Sequence, residues 1–509
     1  MQKYSDLEYL RLSKGKKILY KIASFFASIP RGIANFFKKI GMFFVKAGKA
    51  IGNEVAGIVR TFVKGDWKTK ISFFIMGFGN IARGQVLRGV LLLLFEAVFI
   101  FYMIYSGGYW LSMMPTLGTV EPGLTTDAYG YQVLKQPWEH DHSFQILLYG
   151  VLTIFFVIAF IYTWRVNVKQ NQIAEEILAS GKKLKSGKQD LRSLVDDQFH
   201  KTLLALPMTG ILVFTVMPMV FMILVAFTNY DSLHNGETNA LFHWQGFDNF
   251  KTLLGFGGQS YGYTFMEILT WTLIWAFLAT FTNYFLGMFV AMMINKKGIR
   301  FKKGWRTILV LTIAIPQFIS LLYVSKMFAK DGFVNNFLIQ LGWIDKALPF
   351  WEDTTWARVT LILVNIWIGI PYLMLIATGI LMNIPADLYE SAKIDGASGW
   401  KQYSKITLPY MLFVTGPYLL TSFINNMNNF NVIFLLSGGA PTNTAASGAG
   451  NIAGHTDLLI TWLFKLTTTS PNRYYLASVI GIVVFIVVAL ISLIVYGFMP
   501  SVKNEEDFQ

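Results

Sequence analysis

Eight stretches of this chain, near residues 88–110, 143–165, 202–228, 265–294, 306–327, 357–382, 410–437 and 475–499, are apolar over the ~20 residues a helix needs to cross a hydrocarbon core. A soluble globule cannot bury so many runs of that length. Composition agrees, with 54% hydrophobic and only 14% charged residues over 509. The fold class that follows is an all-α integral membrane protein with about eight transmembrane helices. A net charge of +14 would suit a nucleic-acid binder, but the positive residues flank apolar runs instead of forming a basic domain. Membrane topology accounts for them, and no nucleic-acid partner is expected.

Lysine and arginine set the orientation. The link 165–201 carries Lys182, Lys183, Lys185, Lys188 and Arg192, and the link after the fourth span carries Lys296, Lys297, Arg300, Lys302, Lys303 and Arg306. Both belong on the cytoplasmic side. The alternate links 111–142, 229–264, 328–356 and 438–474 are poorer in positive charge and face outward, which predicts both termini inside a cell membrane. Trp110, Trp138, Trp164, Trp305 and Trp356 fall near span ends, as interfacial anchors do.

The organisation expected is a basic amphipathic arm at 1–70, two spans with a basic link at 71–201, a third span and outer loop at 202–264, a core at 265–500 with a cytoplasmic loop at 383–409, and a tail at 501–509. In the arm, Ile18, Ile22, Phe25, Phe26, Ile29 and Ile33, then Phe36, Phe37, Ile40, Phe43 and Phe44, recur at helical spacing among lysines. That pattern describes a helix lying on anionic lipid, bent near Pro30.

Several chemistries are excluded. Without cysteine there is no disulfide framework, thiolate nucleophile or thiolate metal site. The segment from Gly181 to Gln189 has neither the spacing nor the hydroxyl of a phosphate-cradling loop, so the chain itself does not hydrolyse ATP. His140-Asp141-His142 is a poor preformed metal site, and no metal is assigned. Glu96 is the one acid near the middle of a span, which makes it a candidate proton relay or a partner to a neighbouring helix.

Between two apolar runs lies a polar island, Asn383 to Pro409. Pro385 suits a first helical turn, Ala386 to Ile394 are good helix formers, and Asp395-Gly396 supplies a turn. A second short helix from Ser398 to Thr407 is expected to stop at Pro409. Glu390-Ser391-Ala392, then Gly396, then Ile406-Thr407-Leu408-Pro409 resemble the EAA loop with which ABC-importer permeases dock a cytoplasmic ATPase. The resemblance implies coupling roles for Glu390, Ser391, Ala392, Asp395, Gly396, Leu408 and Pro409.

Polar residues in the sixth and seventh spans form stripes: Asn365, Ile368, Gly369 and Tyr372 share one helical face, and Ser422, Asn425, Asn426 and Asn429 share another. Neither belongs against lipid. Amides, hydroxyls and an aromatic ring suit a neutral polyol, while hydrogen bonding between helices recruits the same residue types. From about Trp244 to Met499 the chain resembles the MalF-type permeases of maltose and maltodextrin ABC importers, on Trp244–Phe250, Ser422–Phe430, Phe434–Pro441 and Thr456–Leu466.

That resemblance implies a sugar site at both stripes, with Ile313 and Gln317 around Pro316 replacing a tyrosine and a serine. It implies a second homologous permease, two ATPase subunits that hold ATP and magnesium, an extracellular solute-binding protein and an oligosaccharide substrate. This chain then binds no cofactor of its own. An ion-coupled transporter would need paired intramembrane acids, and a membrane enzyme would need a nucleophile and base; neither pattern is present.

Overall fold

The computed structural model describes residues 38, 41–42, 44–236, 239–255, 261–296, 298–444 and 452–498. The expected bend at Pro30 lies outside them. Among the described residues seven helices are long and apolar enough to cross a membrane, and a bent pair raises the number to eight. The chain forms two compact units, Met1–Tyr109 with Thr153–Gly210, and Trp110–Leu152 with Ile211–Gln509.

The first unit contains α1 (44–64), α2 (Trp67–Ser72), α3 (Phe78–Ile81), most of α4 (Val86–Met113), the later part of α5 (Ser143–Ala179), α6 (Gly187–Val195) and the start of α7 (Phe199–Val225). At ~1.5 Å per residue, the 37 residues of α5 outrun a ~30 Å hydrocarbon core. Its apolar run ends at Trp164, and Arg165 to Ala179 continue as a polar extension.

The α2–α3 hairpin packs on that extension through buried polar groups. Arg83, its side chain 1% exposed, donates to Asp66 at 2.6 Å, Thr69 at 2.7 Å, Asn171 at 2.6 Å and Glu175 at 3.2 Å. Asn167 donates to the Ser72 carbonyl and accepts from the Gly77 N–H. Gly77, at φ +81°, sits where a Cβ would fall 2.1 Å from the Gly89 carbonyl oxygen, so only glycine lets this turn seat on α4. Glu96 has a structural occupation: its carboxylate accepts the Met76 backbone N–H at 2.7 Å.

The second unit continues with a small antiparallel pair, β1 (Leu124–Thr126) and β2 (Gln132–Leu134), then α8 (Asp248–Leu253) and α9 (Tyr261–Asn295). After these come α10 (Lys302–Ala314), α11 (Gln317–Met327), α12 (Phe333–Gln340), α13 (Thr354–Leu381) and α14 (Ala386–Ile394). The described residues continue with α15 (Gly399–Gln402), α16 (Leu408–Met427), α17 (Phe430–Leu436), α18 (Leu459–Thr468) and α19 (Tyr474–Phe498). Helix α9 is the central post. Its buried Trp271, Trp275 and Ala279 meet Leu321, Leu361, Val364 and Ile433, while Tyr284, Met288 and Ala291 meet Met374, Ala377 and Met411. Its outer neighbour Leu459–Thr468 is held by Asp457, which is fully buried and accepts from Lys465 at 2.7 Å, Gly454 N–H at 2.7 Å and Thr461 at 2.9 Å. Burial pushes the Asp457 carboxyl above its ordinary value, against the pull of Lys465.

Two expectations need correction. The fifth span is not one helix: α10 and α11 meet at an angle of 89°. Pro316 has no N–H for the ladder, and Ile315 ahead of it is extended, at φ −84° and ψ 128°. Nor does Pro409 stop the helix after Ser398. A wide turn over Tyr403–Thr407, in which the Leu408 N–H reaches the Tyr403 carbonyl, carries the helix on into α16 with Pro409 in its first turn. The extra residue relieves the clash a proline ring makes with the preceding turn. The same device precedes Pro218, where Met217 N–H reaches the Leu212 carbonyl.

Candidate functional site

The break at Ile315-Pro316 opens a cavity of about 260 Å³. Thr312, Ile313, Ile315, Pro316, Gln317 and Ser320 line it from the two half-helices, and Trp367, Ile368 and Tyr372 from α13. Non-helical backbone at membrane depth is tolerated where it is covered by protein or lines a polar cavity. This break is covered on one side by Trp367, Ile368 and Tyr372 of α13, and the wall it lines is more apolar than polar. The wall offers one amide, several hydroxyls and two aromatic faces without a formal charge, which can hydrogen-bond and stack on a neutral, hydroxyl-rich ligand.

Four of the residues singled out from sequence, Ile313, Gln317, Ile368 and Tyr372, meet on this cavity although they come from two separate stretches. Thr312, Ser320 and Trp367 were missed. Ser320 lies one turn after Gln317 on α11, so helical spacing could have found it.

The remaining positions lie elsewhere. Asn365 is buried on α13, and its side-chain nitrogen has no hydrogen-bond partner among the described residues. Gly369 is a notch filled by α9: a Cβ there would lie 2.3 Å from the Asn283 side-chain nitrogen. On α16, Asn426 donates to Thr280 of α9 at 3.0 Å; Asn429, just past the end of α16, donates to Asn426 at 3.4 Å while accepting the Val432 N–H that opens α17. Ser422 is half-buried and Asn425 exposed on the same helix.

The polar island forms a separate cluster. Helix α14 ends at Ile394, and Gly396 turns the chain at φ +71°. Ser398 caps α15 by accepting the Lys401 N–H, Gln402 donates to the Ala397 carbonyl, and the Tyr389 hydroxyl meets Thr407 at 2.9 Å. Those bonds fix the two helices against each other. Outside them Glu390, Ser391, Asp395 and Gly396 are exposed, as are Leu388, Ile394 and Trp400, with Ile394 at 87%. Ala392 is half-buried, and Leu408-Pro409 begin α16. His140 and His142 belong to no group of metal-ligating side chains among the described residues.

Residues 283–503 match the family model described as the inner membrane component of binding-protein-dependent transport systems. Over 456 residues, 88% of this chain and 98% of the relative, it is 33% identical to the maltodextrin transport system permease protein MdxF of Bacillus subtilis. The chain belongs to this family of transport permeases. A second permease of the family, the galactooligosaccharides transport system permease protein GanP of Bacillus subtilis, is 33% identical over 85% of this chain and 97% of the relative. The maltose/maltodextrin transport system permease protein MalF of Escherichia coli is 34% identical over 233 residues, 45% of this chain and 44% of that protein. Family membership and the apolar helices together make the chain a multi-pass membrane permease.

Proposed function

We propose that this permease is the channel-forming subunit of an ABC importer for maltodextrin-type oligosaccharides. The observation that carries this reading is the uncharged cavity at the Pro316 break, where Gln317, Ser320, Trp367 and Tyr372 converge. Relatives named for maltodextrin and galactooligosaccharide transport support the ligand class. Ring faces of a glucose unit stack on Trp367 or Tyr372, and its hydroxyls pair with Gln317, Thr312 and Ser320. Ser422 and Asn425 extend the sugar path on α16, while Asn426 ties α16 to α9 and Asn429 supports Asn426.

In this reading the chain pairs with a second permease, and an ATPase docks on the exposed face of α14 and α15. A binding protein delivers sugar from outside. The links rich in lysine and arginine lie in the cytoplasm, as do both termini. Closure of the ATPases pushes the Glu390 loop, and α16, continuous with that loop, moves relative to α9 and α13. The chain holds no nucleotide and does no bond chemistry itself.

The test is uptake by the reconstituted complex, supplied with its binding protein and a panel of labelled maltodextrins, galactooligosaccharides and an unrelated solute. Maltodextrin uptake driven by ATP and lost in Tyr372→Ala, with ATPase docking retained, is the expected result. Preference for another solute, or full uptake by Tyr372→Ala, would overturn it.

A further inference from the structure

Helix α1 carries three distinct faces. Ala47, Glu54, Ile58 and Thr61, spaced 7, 4 and 3 residues apart, are the positions withdrawn from solvent, and they make one stripe. That stripe is tied to α5: Glu54 accepts from Arg165 at 2.5 Å and Lys169 at 3.2 Å, and Thr61 donates to Gln172 at 3.1 Å. Roughly a third of a turn away at ~100° per residue lie Ile51, Val55, Val59 and Val63, all at least 53% exposed. The remaining third holds Lys46, Lys49, Asn53, Arg60 and Lys64, also exposed. Glu54 is the single acid in residues 44–64, and its charge is already matched by α5.

The level of attachment matters as much as the faces. Glu54 and Thr61 both meet α5 between Arg165 and Gln172, just past the end of its apolar run. On α1 itself, Phe62 packs on Phe73, whose carbonyl accepts the Trp164 indole N–H. A tryptophan followed by Arg165 and Lys169 marks the boundary between hydrocarbon and headgroups. A helix held at that level with one protein face, one apolar face and one cationic face fits an interface whose headgroups are anionic.

We propose that α1 is an interfacial anchor that inserts Ile51, Val55, Val59 and Val63 among acyl chains and binds anionic phospholipid headgroups through Lys46, Lys49, Arg60 and Lys64. The Glu54 bridges pass that grip to α5, so the depth of the second span is set partly by lipid charge.

The chain has no cysteine, so single labels need no background substitutions. Spin labels at Val55→Cys, Asn53→Cys and Phe485→Cys would be placed in the full chain, in nanodiscs of phosphatidylcholine with and without phosphatidylglycerol. Collisions with oxygen and with a water-soluble nickel chelate would be compared. With phosphatidylglycerol, Val55 should favour oxygen as the span control Phe485 does, and Asn53 should favour nickel. Removing the anionic lipid, or changing Lys46, Lys49, Arg60 and Lys64 to Gln, should shift Val55 toward nickel, by about fivefold in partitioning per charge.

A Val55 label equally open to nickel in both lipids would overturn the anchor. So would an Asn53 label that becomes shielded only when the other transporter subunits are added, since a protein would then own the basic face. Nickel access at Phe485 would instead overturn the membrane placement on which the anchor rests.

Discussion

Gly369 was singled out as a sugar-facing residue, yet the structure sets it against Asn283, and a single methyl group can separate the two roles. In Gly369→Ala the new Cβ would stand 2.3 Å from the Asn283 nitrogen, 2.6 Å from its Cγ and 2.9 Å from its oxygen. Ordinary contact requires about 1 Å more, and Asn283 is 93% buried within α9, so either the amide or the helix must shift. Overpacking of this kind costs about 1–3 kcal/mol. Asn283→Ala should cost little alone, because its oxygen has no hydrogen-bond partner among the described residues and its loss relieves an unpaired buried group. The double variant should therefore melt near Asn283→Ala, giving a coupling of about 1–3 kcal/mol. The assay is a double-mutant cycle of melting temperature on the purified protein, followed by uptake per complex in vesicles. If Gly369→Ala melts like the parent, and uptake falls by the same factor with Asn283 or Ala at position 283, the glycine faces the substrate and the packing argument is wrong.

Three further outcomes are expected. Asn426→Ala, which removes the bond to Thr280, should lower the melting temperature by the equivalent of about 1–3 kcal/mol while uptake per assembled complex holds; a tenfold loss of uptake at unchanged stability would put the amide on the sugar path. Gly396→Val meets open space but must adopt φ +71°, at a cost of about 1–2 kcal/mol, so it should leave insertion intact and weaken ATPase co-purification; normal co-purification and transport would remove the docking role from this turn. Hydrogen bonds from Arg165 and Lys169 outweigh partial burial and lower the Glu54 carboxyl from 4.5 to about 2, so the contribution of its bridges is complete above pH ~4.5 and is lost as pH falls through about 2. The distance between labels on α1 and α5 should stay constant from neutral pH to pH 4; separation already at pH 5 would contradict it.

The membrane fold was legible because its signal is local and additive. Each apolar run carries its own transfer energy, and each cationic link its own topological preference, so spans emerge without knowledge of what packs on what. The Arg83 network was not legible for the opposite reason. Its partners Asn171 and Glu175 are 88 and 92 residues away, and nothing at Arg83 distinguishes a buried guanidinium from another positive residue at a cytoplasmic border. Glu96 shows the same limit: an acid in an apolar run leaves a proton relay and a structural partner both open, and the Met76 N–H it accepts is visible only in the fold.

At the cavity, sequence carried the residues but not the shape. Pro316 was visible, yet proline inside a span is compatible with a modest kink, and only the packing of both half-helices decides between a kink and an 89° turn. Helical periodicity then reached its limit in a specific way. It grouped Asn365 and Gly369 with Ile368 and Tyr372 because they share a broad face, but a face that broad can touch two environments. Ile368 and Tyr372 open to the cavity, while Asn365 is buried and Gly369 admits Asn283. Asn283 itself, with Thr280 one turn before it, lies among many threonines on α9, and spacing alone does not say which neighbour either one meets. A polar residue on a central helix therefore needs the neighbouring helix to be placed before its role can be assigned, and that information lies outside any local window of the chain.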